Sequence, residues 1–169
     1  MPDGASHIHA STGPVRVATP ADAPALFALL KHMDADNNVG LPMSDAKVAD
    51  IVGKLCKCEG GVAGVVDGEN GELIASVGIV AMQPWYSEVW HLTTLWIFVR
   101  PDQRRGIKTT DALFKFTEDH RRYISAQAGV DVGVDVSLIT TKDRDLKERL
   151  WERHAMRVGI VCWMDGSHG

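Results

Sequence analysis

Between Gln103 and Thr110 the chain reads Gln-Arg-Arg-Gly-Ile-Lys-Thr-Thr, which brings Arg104, Arg105 and Lys108, one glycine (Gly106) and the hydroxyls of Thr109 and Thr110 into a short span. Cationic and hydroxyl side chains donate to anionic oxygens. A glycine lets an anion approach the backbone itself. Before this span, Trp96-Ile97-Phe98-Val99 is a β-branched and aromatic run of strand type, and Pro101 stops it for want of an N–H. From Thr109 the spacing becomes helical: Leu113, Phe116, His120 and Tyr123 share one stripe, with Asp111, Lys115, Glu118, Asp119 and Arg122 elsewhere. Strand, basic glycine loop and helix together make an anion site, because a helix's first turn offers unpaired N–H groups and the positive end of its dipole. The expected ligand carries a pyrophosphate or several phosphates. The plainer alternative is an ordinary strand-to-helix turn with solvated arginines.

The elements that must hold this loop can be read in order. Val15-Arg16-Val17 is a short strand, and Thr19-Pro20-Ala21-Asp22 carries an N-cap threonine, a first-turn proline and an acid three residues after the cap. Ala23, Leu26, Leu30 and Met33 form the stripe of a first helix, which ends in a polar loop over residues 34–40 containing Asp34 and Asp36. A second helix starts at Ser44, with Val48, Ile51, Val52 and Leu55 inward, and Gly60-Gly61 closes it. Val62 to Val66 and Leu73 to Met82 read as strands around a hairpin turn over residues 67–71. Gln83-Pro84-Trp85-Tyr86 breaks the second of them, and Val89 to Val99 is a long third strand completing an antiparallel meander. After the long helix, whose Arg121-Arg122 pair reads as a solvated end, valines and a leucine from Val130 to Leu138 alternate with Asp131, Gly133, Asp135 and Ser137. Thr140-Thr141-Lys142-Asp143 opens a last helix with Leu146 and Leu150 inward, and Val158 to Met164 is a closing strand. The order is β-α-α-β-β-β-α-β-α-β. A helix joining Val99 to Val130 makes those two strands parallel, so the sheet is mixed and mostly antiparallel.

Composition bounds the class. The chain has 169 residues, 45% hydrophobic and 24% charged, which suits one domain over residues 14–166 behind a disordered leader over residues 1–13. No apolar run approaches the ~20 residues a bilayer span needs, and the N-terminus lacks a secretory apolar region, so the expectation is a cytoplasmic protein with no membrane partner. A net charge of -4 argues against bulk nucleic-acid binding. Cys56, Cys58 and Cys162 are an odd set whose C-x-C is too close for a usual zinc pair, and His7 and His9 lie in the leader. No metal is expected, and the thiols read as reduced and structural.

The run V-R-P-D-Q-R-R-G-I-K resembles the acyl-CoA signature of the GNAT N-acetyltransferase superfamily, Q/R-x-x-G-x-G/A after a strand ending V-x-P. Gln103, Arg104, Arg105, Gly106 and Ile107 match in place, whereas Lys108 stands where the family usually has glycine or alanine. The element order is similar to the family's from about Val15 to Met164. The resemblance implies a single-domain α/β fold whose mixed sheet, flanked by helices, splays between the long strand and the parallel strand after it. It implies acetyl-CoA as cosubstrate, its pantetheine paired with the backbone of Ile97, Phe98 and Val99 and its pyrophosphate on the amides from Arg104 to Thr109. It further implies transfer to an amine of a small molecule or peptide, the alternative being a degenerate domain that binds CoA or a partner without catalysis. Glu88 and His91 fall where the family often holds a base, and each can equally be an ordinary surface or strand residue. Asp34 and Asp36 fall where the acceptor side often lies. Trp151 occupies the position of the tyrosine that commonly protonates the leaving thiolate; an indole N–H donates but is no general acid near neutrality. Trp85, Tyr86, Trp90 and Trp96 cluster near the long strand, as core, as an interface or as walls of a hydrophobic acceptor site, and a homodimer is a further expected partner.

Overall fold

The computed structural model describes residues 14–37, 42–104 and 108–136. The leader, the expected helix from Thr140 and closing strand, Trp151 and Cys162 lie outside the described residues, as do Arg105, Gly106 and Ile107.

The first element is β1 (Arg16–Val17), followed by a 3-10 turn over Pro20–Asp22 and α1 (Ala23–Asn37). Asp22 starts the helical segment as its spacing predicts: its carboxylate accepts from the Thr19 backbone N–H at 2.7 Å and from Thr19 Oγ1 at 2.8 Å. Arg16 also grips that carboxylate and Asp67, which holds Asp22 well below the usual carboxylate range. Next come α2 (Asp45–Leu55), β2 (Gly61–Asp67), β3 (Leu73–Met82), β4 (His91–Val99), a 3-10 turn at Pro101–Gln103, α3 (Lys108–Ala128) and β5 (Val134–Val136). The five strands lie in chain order, β1 to β4 antiparallel and β5 parallel to β4. The expected mixed sheet is thus present, with helices against both faces.

Each face has its own core. Leu26, Leu29 and Leu30 of α1 and Val52 and Leu55 of α2 bury against Trp96 and Phe98 on one face. Leu113 and Phe116 of α3 bury against Val62, Val77, Ile79 and Leu92 on the other. A fully buried leucine contributes roughly 2 kcal/mol by transfer out of water.

Several boundaries differ from the sequence reading. The helix α1 runs on to Asn37, so Asp34 and Asp36 sit on its last turns and not in a loop; no glycine or proline interrupts the chain between Pro24 and Gly40. Leu29 joins its buried stripe, while Ile51 of α2 is exposed, because Val52 and Leu55 already fill the contact with the sheet. The strand β4 starts at His91, two residues later than expected. Ser87 Oγ accepts the Val89 N–H at 3.1 Å and Gln83 Nε2 donates to the Glu88 carbonyl at 2.7 Å, so these backbone groups serve a loop. In the same way β5 starts late, at Val134, because Val132 spends its N–H on Ser125 Oγ (2.9 Å) and its carbonyl on Arg121 (3.1 Å). That arginine is no solvated helix end: it also pairs with Glu118 and Asp131 and straps α3 to the segment leading into β5. The buried residues of α3 are Leu113, Phe114, Phe116 and Thr117. His120 and Tyr123 are half-buried and stack on one another with ring centroids 6.3 Å apart.

Candidate functional site

The strand β4 changes face midway. Gly78 of β3 pairs with Trp96, but its neighbour Ile79 pairs with Thr94, so Leu95 is an extra residue without a partner, a β-bulge. The effect is visible in the cores. Leu92 packs on the α3 side, and so do Ile97 and Val99, an odd number of residues further on. In an unbroken strand they would face opposite ways. The bulge puts Trp96 and Phe98 on the α1/α2 side, where Trp96 Nε1 donates to the buried Ser76 Oγ at 3.1 Å. Its indole lies flat on Gly78, where a Cβ would meet the ring at 2.5 Å.

Pairing between β4 and β5 covers Leu92, Thr93 and Thr94 and reaches no further among the described residues. Beyond it β4 continues through Ile97, Phe98 and Val99, bonded to β3 on its other edge.

The chain then turns through Pro101–Gln103, with the Gln103 and Arg104 amides returned to Arg100 O and Pro101 O at 2.9 and 3.3 Å. The Arg104 amide, expected to face a pyrophosphate, is therefore engaged within the turn. Its side chain is engaged as well. Nε donates to Val99 O at 2.9 Å, Nη2 pairs with Asp36 Oδ2 at 2.7 Å, and the guanidinium lies 5.6 Å from the Phe98 ring centroid. Partners among the described residues thus take two of its five N–H donors. Arg100 closes on Asp102 at 2.9 Å. At the start of α3, Lys108 is exposed and Thr109 and Thr110 are half-buried, and the first-turn amides have no partner within the helix.

The two base candidates separate clearly. Glu88 is exposed in the loop before β4. His91 is the first residue of β4, and its Nε2 is buried with no hydrogen-bond partner among the described residues. Asp135 Oδ2 lies only 2.8 Å from that nitrogen, off the line of a hydrogen bond. Gly133 lies beside the ring without a side chain, and a Cβ there would stand 2.6 Å from His91 Cε1 and 2.8 Å from Nδ1. Asp135 and Gly133 were not singled out from the sequence. The alternation of Asp131, Gly133 and Asp135 with valines was the available signal, because period two puts them on one side. Of the acceptor-side acids, Asp36 is drawn to Arg104 and Asp34 is half-buried; two residues apart on a helix, they do not face the same way. Among the aromatics, Trp96 is core, whereas Trp85 (95% exposed) and Tyr86 (73%) meet edge-to-face in the loop between β3 and β4. Among the described residues no cluster of acids, histidines and cysteines has the arrangement of a metal site, and no helix is long and apolar enough to cross a membrane.

Neither the family models nor the curated protein sequences give a match to this chain. Solved structures do. A putative acetyltransferase from Arthrobacter sp. FB24 superposes with a TM-score of 0.62 at 20% identity, over 89% of each chain. The ribosomal-protein-alanine N-acetyltransferase of Brucella melitensis biovar Abortus 2308 gives 0.61 at 14% identity, over 89% of this chain and 96% of that one. The aminoglycoside acetyltransferase meta-AAC0020 from an uncultured soil metagenomic sample, in complex with sisomicin, gives 0.60 at 14% identity, over 89% and 93%. The fold is that of the GNAT-type acetyltransferases.

Proposed function

We propose that this chain, built on the GNAT fold, is an N-acyltransferase that uses acetyl-CoA and transfers the acyl group to the amine of a small molecule or peptide. The observation that carries the reading is the order at the end of β4, where Ile97, Phe98 and Val99 run into the Pro101–Gln103 turn and the Arg104 guanidinium and then into the start of α3, on the fold of the GNAT-type acetyltransferases. An extended pantetheine fits the edge at Ile97, Phe98 and Val99. Its phosphates then fall toward Lys108, Thr109 and Thr110 at the helix start, with Arg104 and, from the sequence motif, Arg105, Gly106 and Ile107. A bulge turns backbone N–H groups out of the ladder, and such groups can receive the oxyanion that develops on the thioester carbonyl. The acceptor must also lose a proton, for which Glu88 and His91 are the candidates, and the thiolate must be stabilised, for which Trp151 offers a single donor.

The structural neighbours supply acceptor probes of two classes, an aminoglycoside and a protein alanine. A second reading, a CoA-binding or partner-binding domain without catalysis, is favoured by the engagement of Arg104 with Asp36 and by Lys108. Calorimetry with acetyl-CoA tests the site directly. Gly106→Val should abolish binding and Arg104→Ala should weaken it in a salt-dependent way; unchanged affinity in both would remove the loop as the phosphate site. Release of CoA with sisomicin or an alanyl peptide as acceptor separates the enzyme from the silent binder. The same arrangement fits a soluble protein acting in the cytoplasm, alone or as a homodimer.

A further inference from the structure

We propose that β5 makes His91 the proton acceptor of the reaction, with Asp135 as its positioning residue and Gly133 as the opening to its reactive nitrogen. The proposal rests on the acyl-transfer reading above. It starts from the 2.8 Å approach of Asp135 Oδ2 to His91 Nε2. Two lone pairs at that distance repel each other, so a proton lies on Nε2, a buried nitrogen with no other partner among the described residues. A slight rotation of the exposed Asp135 side chain brings it into line. In a neutral imidazole, a proton on Nε2 leaves the lone pair on Nδ1. Gly133 lies beside that nitrogen: a Cβ at this position would stand 2.8 Å from Nδ1, so any side chain there would block the approach that a glycine leaves free.

The strand β5 thus sets the tautomer, and the glycine just before it keeps the access clear. Both residues are held by the parallel ladder, in which Thr93 pairs with Asp135 and the Leu92 N–H donates to Gly133 O at 2.9 Å. His91 precedes the bulge at Leu95 by four residues, roughly 13 Å at ~3.3 Å per residue, a span for water molecules to bridge. In the step itself the acceptor nitrogen forms the C–N bond with its lone pair. The C–S bond breaks and its electron pair leaves on sulfur. The proton lost by nitrogen passes through water to Nδ1 and from there returns to the thiolate, which leaves as CoA thiol. Glu88, exposed in the loop, has no comparable restraint.

The test reads the tautomer apart from the rate. Long-range 1H–15N correlation spectra of the full chain near neutral pH should show His91 protonated at Nε2. In Asp135→Asn, an isosteric change at an exposed position, the amide can donate or accept, and the single tautomer should give way to a mixture. In Gly133→Ala the Nε2–H form should persist. CoA release from acetyl-CoA with sisomicin or an alanyl peptide should fall about 100-fold in both variants, with the KM for acetyl-CoA unchanged. Asp135→Glu should recover part of the loss. An Nδ1–H tautomer in the wild type, or a tautomer indifferent to Asp135→Asn, overturns the proposal. So do variants that lose thermal stability but keep the wild-type rate. Failure of the wild type to bind acetyl-CoA overturns the acyl-transfer reading and this proposal with it; intact binding with an indifferent tautomer overturns this proposal alone.

Discussion

Removing the Arg104 side chain should destabilise the protein before any ligand is added. The guanidinium joins the end of β4 to the last turn of α1 by three contacts: Val99 O at 2.9 Å, Asp36 at 2.7 Å and the face of Phe98 at 5.6 Å. A half-exposed ion pair contributes about 0.5 kcal/mol, a charged donor on a largely buried carbonyl about 1.5 kcal/mol and the ring contact about 0.5 kcal/mol. Arg104→Ala should therefore cost roughly 2.5 kcal/mol, a fall in Tm of about 5–10 °C for a chain of this size. Urea unfolding without acetyl-CoA measures it free of ligand linkage. Asp36→Ala should cost less, and a double-mutant cycle should return a coupling of about 0.2–1 kcal/mol. A loss under about 0.5 kcal/mol in Arg104→Ala, with no coupling to Asp36, would refute the strap and leave Arg104 as a phosphate ligand only.

Other outcomes follow from single contacts. Lys108→Gly should lower acetyl-CoA affinity or leave it nearly unaltered in calorimetry, because a flexible exposed lysine can pair with a phosphate; a large gain would show the natural side chain to be an obstruction. Trp96→Phe deprives the buried Ser76 hydroxyl of its donor and should cost about 1–3 kcal/mol in urea unfolding. Burial pushes His120 down from the usual 6.5 to about 4, so the unfolded chain takes up the extra proton first as pH falls. Stability linked to this group is complete above about 6.5 and lost on acidification toward 4, by at most about 3 kcal/mol. His120→Phe should remove that part of the acid slope in unfolding measured from pH 7 to pH 4.

Much of the scaffold was legible because its signals are local. Thr19 and Asp22 announce a helix start, valine-rich runs bounded by turn residues give β2 and β3 nearly to the residue, and a long amphipathic stretch gives α3. The misplacements have one cause. Val89 and Val132 belong to strand-like runs, but side chains nearby (Ser87 for one, Ser125 and Arg121 for the other) take their backbone groups, and no periodicity shows that competition. The Arg104–Asp36 pair spans 68 residues and the His91–Asp135 contact joins two strands, so neither could be read before the strands were placed side by side. The glycine loop was the reverse case, its chemistry evident from composition alone.

The bulge at Leu95 makes the length of β4 a matter of addressing. A strand with one extra residue is two half-strands read in opposite phase, the first sending its even-numbered side chains toward α3 and the second its odd-numbered ones. Deleting Leu95 would not merely shorten the strand. It would aim Trp96 and Phe98 at the α3 side, or else Leu92 and Thr94 at the other, exchanging two cores that are not interchangeable in volume. For any distant relative set against this chain, a gap placed elsewhere in β4 would assign the residues between it and Leu95 to the wrong side of the sheet, the candidate base at its head among them if the gap came before His91.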